Sequence, residues 1–140
     1  MTSHQEDSMS STVIPALRYT DAPAAIEFLT DAFGFTVHMV VEGGEGVIEH
    51  AQLVHRGGMI MLGSDRDDEF GRLVASDGRS SVSIYVVVDD VAAHAERARE
   101  AGADIVTEPE AQDYGGSNYT VRDPEGHIWS FGEYSPWDDS

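Results

Sequence analysis

The sequence predicts an α+β protein built from two tandem βαβββ modules, which together form a curved eight-stranded mixed sheet around a cleft with the helices outside. Short runs of alternating apolar and polar residues indicate strands, and two segments of helical period lie between them. The same order of elements occurs in both halves of the 140-residue chain. Since neither half can bury its own sheet face, we expect an internal duplication whose two copies share one core.

The first half begins after a polar tail, residues 1–11, which we expect to be disordered. Its helix starts after Asp21, with Pro23 in the first turn, and stops at Gly34. The first module spans residues 12–63, and its four predicted strands are Thr12–Tyr19, Thr36–Glu42, Val47–His55 and Met59–Leu62.

A polar, acidic segment over residues 64–80 is predicted to be a linker loop. The second module spans residues 81–134, with a helix over Val91–Ala101 capped by Asp89–Asp90. Its predicted strands are Ser81–Val88, Asp104–Thr107, Asn118–Arg122 and His127–Gly132, and the last two form a hairpin around Asp123-Pro124-Glu125-Gly126. An acidic tail, residues 135–140, follows.

The two halves also match in spacing. The predicted caps Asp21 and Asp89 lie as far apart as the helix stops Gly34 and Gly102. The last hairpins align as well, with 54–61 of the first module against 122–129 of the second. These coincidences favour a duplication over chance.

The charge excludes several classes of partner. The net charge is −18, and all eight basic residues are arginines. Such a chain repels phosphate backbones and anionic lipid, so we expect no nucleic acid and no membrane partner. No long apolar run or signal peptide is present, which predicts a soluble cytoplasmic protein. The acidity is consistent with adaptation to high salt, and the use of Arg alone is also consistent with codon bias.

The tandem βαβββ order, the segment Ala24–Phe35 and the ending RDPEGHIWSFGEY resemble the vicinal-oxygen-chelate superfamily. This group includes glyoxalase I, bleomycin-resistance and fosfomycin-resistance proteins and extradiol dioxygenases. The resemblance covers Thr12–Tyr134 and implies the fold and a homodimer. It does not fix the reaction, because one fold supports many functions.

Metalloenzymes of this superfamily place ligands at four matching strand positions, which the resemblance puts at Ile14, Met61, Ser83 and Ser130. None of these side chains is a good ligand for a divalent metal, so we expect no cofactor. An alternative is a metal relocated to His50 and Gln52 with help from Glu133, which would make the protein a lyase, isomerase or dioxygenase. A histidine bonded to a strand neighbour is the favoured interpretation of His50.

The predicted cleft has an apolar lining with a few polar groups, which is typical of a small-molecule site. Tyr119 is placed there because the repeat aligns it with His50, while core packing is an equal interpretation of the two methionines. Trp129 and Phe131 are predicted to lie under a helix, and His94 on an exposed helix face. The predicted ligand-binding residues are His50, Gln52, Met59, Met61, Ser83, Tyr85, Tyr119 and Ser130. We therefore expect a metal-free protein that binds a small organic molecule, as bleomycin-resistance proteins do.

Overall fold

The computed structural model describes residues 10–74, 82–113 and 115–138. It divides into two compact units, residues 1–75 and 76–140. The α+β class and the tandem βαβββ modules are confirmed, with the eight strands in two four-stranded mixed sheets. The strands are β1 Ala16–Tyr19, β2 Thr36–Glu42, β3 Ile48–His55, β4 Gly58–Ser64, β5 Ser83–Val87, β6 Asp104–Ala111, β7 Ser117–Arg122 and β8 Ile128–Gly132, and the helices are α1 Ala22–Phe33, α2 Glu69–Val74 and α3 Val91–Glu100.

In the first module the strand order is β1-β4-β3-β2, and β1 runs parallel to β4. Helix α1 begins where the Asp21 carboxylate accepts the Ala24 N–H at 3.1 Å, which satisfies an amide that the helix cannot pair itself. It ends at Gly34, whose φ of 85° lies in the left-handed region that favours glycine. The Phe35 N–H then donates a hydrogen bond to Leu29 O at 3.2 Å. Both predicted boundary residues are confirmed.

The core of the first module lies between α1 and one face of the sheet, because apolar side chains recur there at the two matching periods. The helix contributes Leu29 and Phe33, which are fully buried. The sheet contributes alternate residues of three strands. These buried sheet residues are Leu17, Tyr19, Ala51, Leu53, Ile60 and Leu62. The opposite face of the sheet is the one that α1 does not cover.

The second module repeats this arrangement with the order β5-β8-β7-β6. The cap of α3 is Asp90, whose carboxylate accepts the Ala93 N–H at 3.0 Å, and not Asp89 as the spacing of the repeat had suggested. Trp129 and Phe131 are fully buried on the face of the sheet that α3 covers, as predicted. With Asp90 as the cap, the two helix caps are as far apart in sequence as Met61 and Ser130, the residues that pair with the first strand of each module.

The largest differences from the predicted boundaries are in two strands and in the linker. Strand β1 begins at Ala16 and not at Thr12, since Pro15 has no N–H to donate and its carbonyl instead accepts from Met61 at 2.9 Å. Strand β6 continues to Ala111 through Pro109, which an edge strand tolerates. The predicted linker contains a helix, α2.

The predicted disordered tail lies mostly outside the described residues, as do parts of the linker and of the acidic tail. Within the described part of the chain, no helix combines the length and the apolar character that crossing a bilayer requires.

Candidate functional site

The face of the first sheet opposite α1, which we call the first open face, carries four of the predicted site residues. Ala51 and Leu53 are buried beneath α1, so His50 and Gln52 project to the other side of β3. Gln52 pairs with Met61 on β4, and Met61 pairs with Ala16 on β1. The members of the first open face are Ala16, Arg18, Met39, Val41, His50, Gln52, Val54, Met59, Met61 and Gly63. The prediction that His50, Gln52, Met59 and Met61 share a face is thus correct.

His50 and Gln52 are hydrogen-bonded to each other on this face. The Gln52 amide nitrogen lies 3.0 Å from His50 Nε2. Because an amide nitrogen only donates, Nε2 of the neutral imidazole is the acceptor and Nδ1 carries the ring proton. This is the strand-neighbour bond that the sequence favoured for His50, and it leaves an N–H donor and an amide carbonyl on the two residues.

Arg18 and Gly63 form the most unusual contact of the first open face. They are partners across the β1–β4 pair, and a Cβ at residue 63 would overlap Nη1 of Arg18. The guanidinium therefore occupies the space that a side chain at position 63 would fill. Its Nη1 donates to the Ser64 carbonyl at 3.2 Å, which fixes the half-buried side chain in this position.

The helix-free face of the second sheet, the second open face, carries hydroxyl groups where the first carries thioethers. Ser130 pairs with Tyr85 on one side and with Thr120 on the other. The hydroxyls of Thr120 and Ser130 are hydrogen-bonded at 2.9 Å. Ser83 lies one step along the same face, beside Ile128. The predicted residues Ser83, Tyr85 and Ser130 therefore share this face, together with Thr120, which the sequence analysis missed.

Tyr85 repeats in the second module what Arg18 does in the first. Its O–H donates to the Tyr134 carbonyl at 2.7 Å. A Cβ at Gly132 would lie 2.8 Å from two carbon atoms of the Tyr85 ring, so the ring covers this glycine. Gly63 and Gly132 hold the same place in the two modules. Gly63 lies two residues after Met61, the partner of Ala16, and Gly132 lies two residues after Ser130, the partner of Tyr85.

Tyr119 does not belong to either open face, and its predicted alignment with His50 is wrong. It is fully buried on the helix-covered face, opposite Phe131. Its hydroxyl and Nδ1 of His94 share a 2.6 Å hydrogen bond, and the His94 ring lies 4.1 Å from that of Phe131. His94 is thus a half-buried residue of the module core and not a surface histidine.

The error at Tyr119 has a specific origin in the turns. The turn after Asp123 is one residue longer than the turn after His55, since His55 pairs with Gly58 whereas the Asp123 N–H donates to His127 O. Tyr119 therefore corresponds to Ala51, which pairs with Leu62 as Tyr119 pairs with Phe131. Its surroundings are apolar, and desolvation by burial raises the pKa of its hydroxyl well above the ordinary value.

The four positions of the superfamily's metal ligands do not fit a divalent metal. Ile14, Met61, Ser83 and Ser130 supply no imidazole, carboxylate or thiolate, and Ser130 already bonds Thr120. Glu133, the helper of the alternative site, accepts the N–H groups of Val91 at 2.9 Å and Ser117 at 3.0 Å. Across residues 10–74, 82–113 and 115–138, no group of three His, Cys, Asp or Glu is placed to hold a metal ion.

The turn of the second hairpin has a structural role. Asp123 is buried, and its Oδ1 accepts the N–H groups of Glu125 and His127, both at 3.0 Å. Its Oδ2 accepts the indole N–H of Trp129 at 3.1 Å. The carboxylate therefore ties the turn to the core residue Trp129.

The sequence of residues 12–131 matches the family model of the Glyoxalase/Bleomycin resistance protein/Dioxygenase superfamily. The chain belongs to this superfamily. An uncharacterised protein of Mycobacterium tuberculosis (strain H37Rv) is 38% identical over 136 residues, which cover 92% of this chain and 80% of that protein.

Solved structures of the superfamily fold agree with this assignment. The crystal structure of TioX from Micromonospora sp. ML1 is similar, with a TM-score of 0.74 and 32% identity over 90% of this chain and 100% of that one. A glyoxalase/bleomycin resistance protein from Streptomyces sp. CB03234 has a TM-score of 0.60 and 22% identity, over 84% of this chain and 98% of that one, and shows the fold alone.

Proposed function

We propose that the protein binds a small organic molecule, without the usual superfamily metal, on the open faces of its sheets. The main support for this proposal is the composition of the first open face, where Met59 and Met61 lie beside the hydrogen-bonded pair His50–Gln52. A mostly apolar surface with a few fixed polar groups is typical of small-molecule sites. Methionine side chains adapt to irregular or planar shapes, which supports an organic ligand over an ion.

The second open face supports binding in the same way. Ser130 and Thr120 bond each other, so neither hydroxyl is activated by a general base as a nucleophile requires. Tyr85 offers the face of its ring, with 40% of the residue exposed. Hydroxyls and a ring that contact a ligand fit a binding protein better than a hydrolase or a transferase.

A thermal-shift screen of planar aromatic compounds tests the proposal, because a ligand that binds only the folded state raises the unfolding midpoint. We expect at least one compound to raise the midpoint of the wild type, and Met61→Ala to reduce that shift. Leu73→Ala is the matched control, since it truncates an exposed apolar residue of α2. No shift with any compound, or an equal loss in both variants, contradicts the proposal.

Elemental analysis of the purified protein separates binding from the metal-dependent alternative. We expect far less than one divalent ion per chain, and no change in metal content in His50→Ala. His38→Ala, in the exposed strand β2, is the control. One bound ion per chain that is lost in His50→Ala and kept in His38→Ala overturns the metal-free proposal.

A further inference from the structure

The contact between Arg18 and Gly63 places a positive charge among the binding residues of the first open face. Gly63 has no side chain, and the guanidinium of Arg18 lies over it. The neighbouring residue Met61 lies two positions earlier on the same face of β4. A cation is therefore held beside the thioethers that the proposed function assigns to the ligand.

His50 flanks the same glycine from the other side. Ala51 pairs with Leu62, so the preceding residue of β3, His50, lies beside Gly63. Two strand spacings separate Arg18 from His50, about 10 Å between Cα atoms. No side chain stands between them, because the intervening residue is glycine. The guanidinium reaches into that interval, and the residue on its other side is His50.

The nearby acid Asp68 is engaged within its own loop. Its Oδ1 accepts the Gly71 N–H at 2.8 Å, and its Oδ2 accepts two N–H groups of Arg66 at 2.6 and 2.9 Å. The pKa of Asp68 lies below its ordinary value. The main cause is the hydrogen bond from the Gly71 N–H, followed by that from Arg66, and the charge of Arg18 makes a smaller contribution. The field of Arg18 thus already favours a carboxylate in its surroundings.

We propose that Arg18 and His50 form an anion-recognition point, and that the molecule bound on the first open face is an organic acid. Its carboxylate contacts the guanidinium, and its apolar body lies against Met59 and Met61. The inference rests on the proposed function and names the chemical class of its ligand. A guanidinium suits this task because its planar fork donates two parallel hydrogen bonds to a carboxylate.

In a chain of net charge −18, a bound acid needs such a local cation to offset the repulsion of the remaining protein. The preference for acids should therefore be carried by one side chain, and it should weaken when the guanidinium is displaced. Gly63→Ala displaces it without removing its charge, and Arg18→Gln removes the charge itself.

Calorimetric titration with 2-naphthoate and 2-naphthamide tests the inference, since the two probes share a ring and differ in charge. We expect the wild type to bind naphthoate at least tenfold more tightly than naphthamide. Arg18→Gln and Gly63→Ala should abolish the preference, because both weaken the binding of naphthoate more than that of naphthamide. Arg99→Gln, on the surface of α3, is the control and should keep the preference.

The outcomes distinguish the two proposals. Equal binding of both probes by the wild type overturns the acid preference and leaves the binding function standing. A preference that survives in Arg18→Gln also overturns the inference. Binding of neither probe at millimolar concentration counts against the proposed function and the inference together. Arg18→Lys, which keeps the charge without the fork, should fold like the wild type and bind naphthoate with intermediate affinity.

Discussion

The guanidinium of Arg18 lies where the side chain of residue 63 would be if that residue were not glycine. The contact joins a strand that begins the module to the strand that ends it, and Ser64 O fixes its geometry. The backbone of Gly63 is not in the left-handed region within which glycine is favoured. Its requirement for glycine therefore comes from the close approach of Arg18 and not from backbone strain.

Gly63→Ala should lower the free energy of unfolding by about 1–3 kcal/mol, as overpacking does elsewhere. The new Cβ would overlap Arg18 Nη1 and lie 3.0 Å from Glu49 O. Gly44→Ala is the matched control, because a Cβ there meets nothing within 4 Å. Urea titrations of both variants provide the measurement. Adding Arg18→Ala should recover part of the loss, and strict additivity of the two substitutions contradicts the assigned contact.

Asp123→Ala should destabilise the protein by about 2–4 kcal/mol, because it leaves three N–H donors without their acceptor. The buried indole N–H of Trp129 is the costliest of these. Asp123→Asn should cost less, since Oδ1 can still accept from Glu125 and His127 while the amide nitrogen faces the indole donor. Denaturant unfolding checks both variants against the exposed Asp113→Ala. Equal losses in the alanine and asparagine variants would refute the assigned role of Oδ1.

The buried pair of Tyr119 and His94 should make stability fall at high pH. Burial raises the pKa of Tyr119 in the folded state, so the unfolded chain releases this proton first. The resulting stability is fully present below about pH 10, the pKa of an unfolded tyrosine, and declines as the pH rises beyond it. Tyr119→Phe lacks this decline. The free energy of unfolding of this variant, measured with urea from pH 8 to 11, should therefore approach that of the wild type above pH 10. A constant difference between the two proteins contradicts the prediction.

Salt should stabilise the protein, because a net charge of −18 makes the compact state repel itself. The Debye length falls from about 30 Å at 0.01 M to about 10 Å at 0.1 M and about 3 Å at 1 M. We expect the thermal midpoint to rise steeply in the first few hundred millimolar KCl and then to level off. A flat midpoint argues against salt adaptation, and a rise that is linear into the molar range indicates an effect other than screening.

The module architecture could be predicted because helix ends and strand alternation are local signals. Asp21 and Gly34 bound α1 through contacts within a few residues, and the same logic placed α3. The choice between Asp89 and Asp90 as a cap could not be made this way, since both residues have the right side chain. Only the backbone geometry at the helix start decides between them.

The residue-by-residue correspondence of the two modules could not be predicted, because a one-residue insertion changes which residues are equivalent. The longer turn at Asp123 makes the sequence offset between the fourth strands, as between Met61 and Ser130, one residue larger than that between the third strands. Applied to the third strands, this larger offset wrongly matches Tyr119 with His50 instead of Ala51. The first module also has an irregularity of its own, since Glu49 is an extra residue of β3 between the pairs Val41–His50 and Glu42–Ile48. Alternation within a strand still located Ser130 and Met61 correctly, since neither lies across such an irregularity from its neighbours.

Arg18 and Tyr85 fill the same vacancy in the two modules, which is the space over the glycine of the fourth strand. The glycine of the fourth strand keeps that vacancy open, and the first strand supplies what fills it, a cation in one copy and a phenol ring in the other. The chemical character of each face can therefore change by a single substitution in a short first strand, while the helix-covered core of the module keeps its own residues. The two glycines thus allow each module to present a different functional group at an equivalent place.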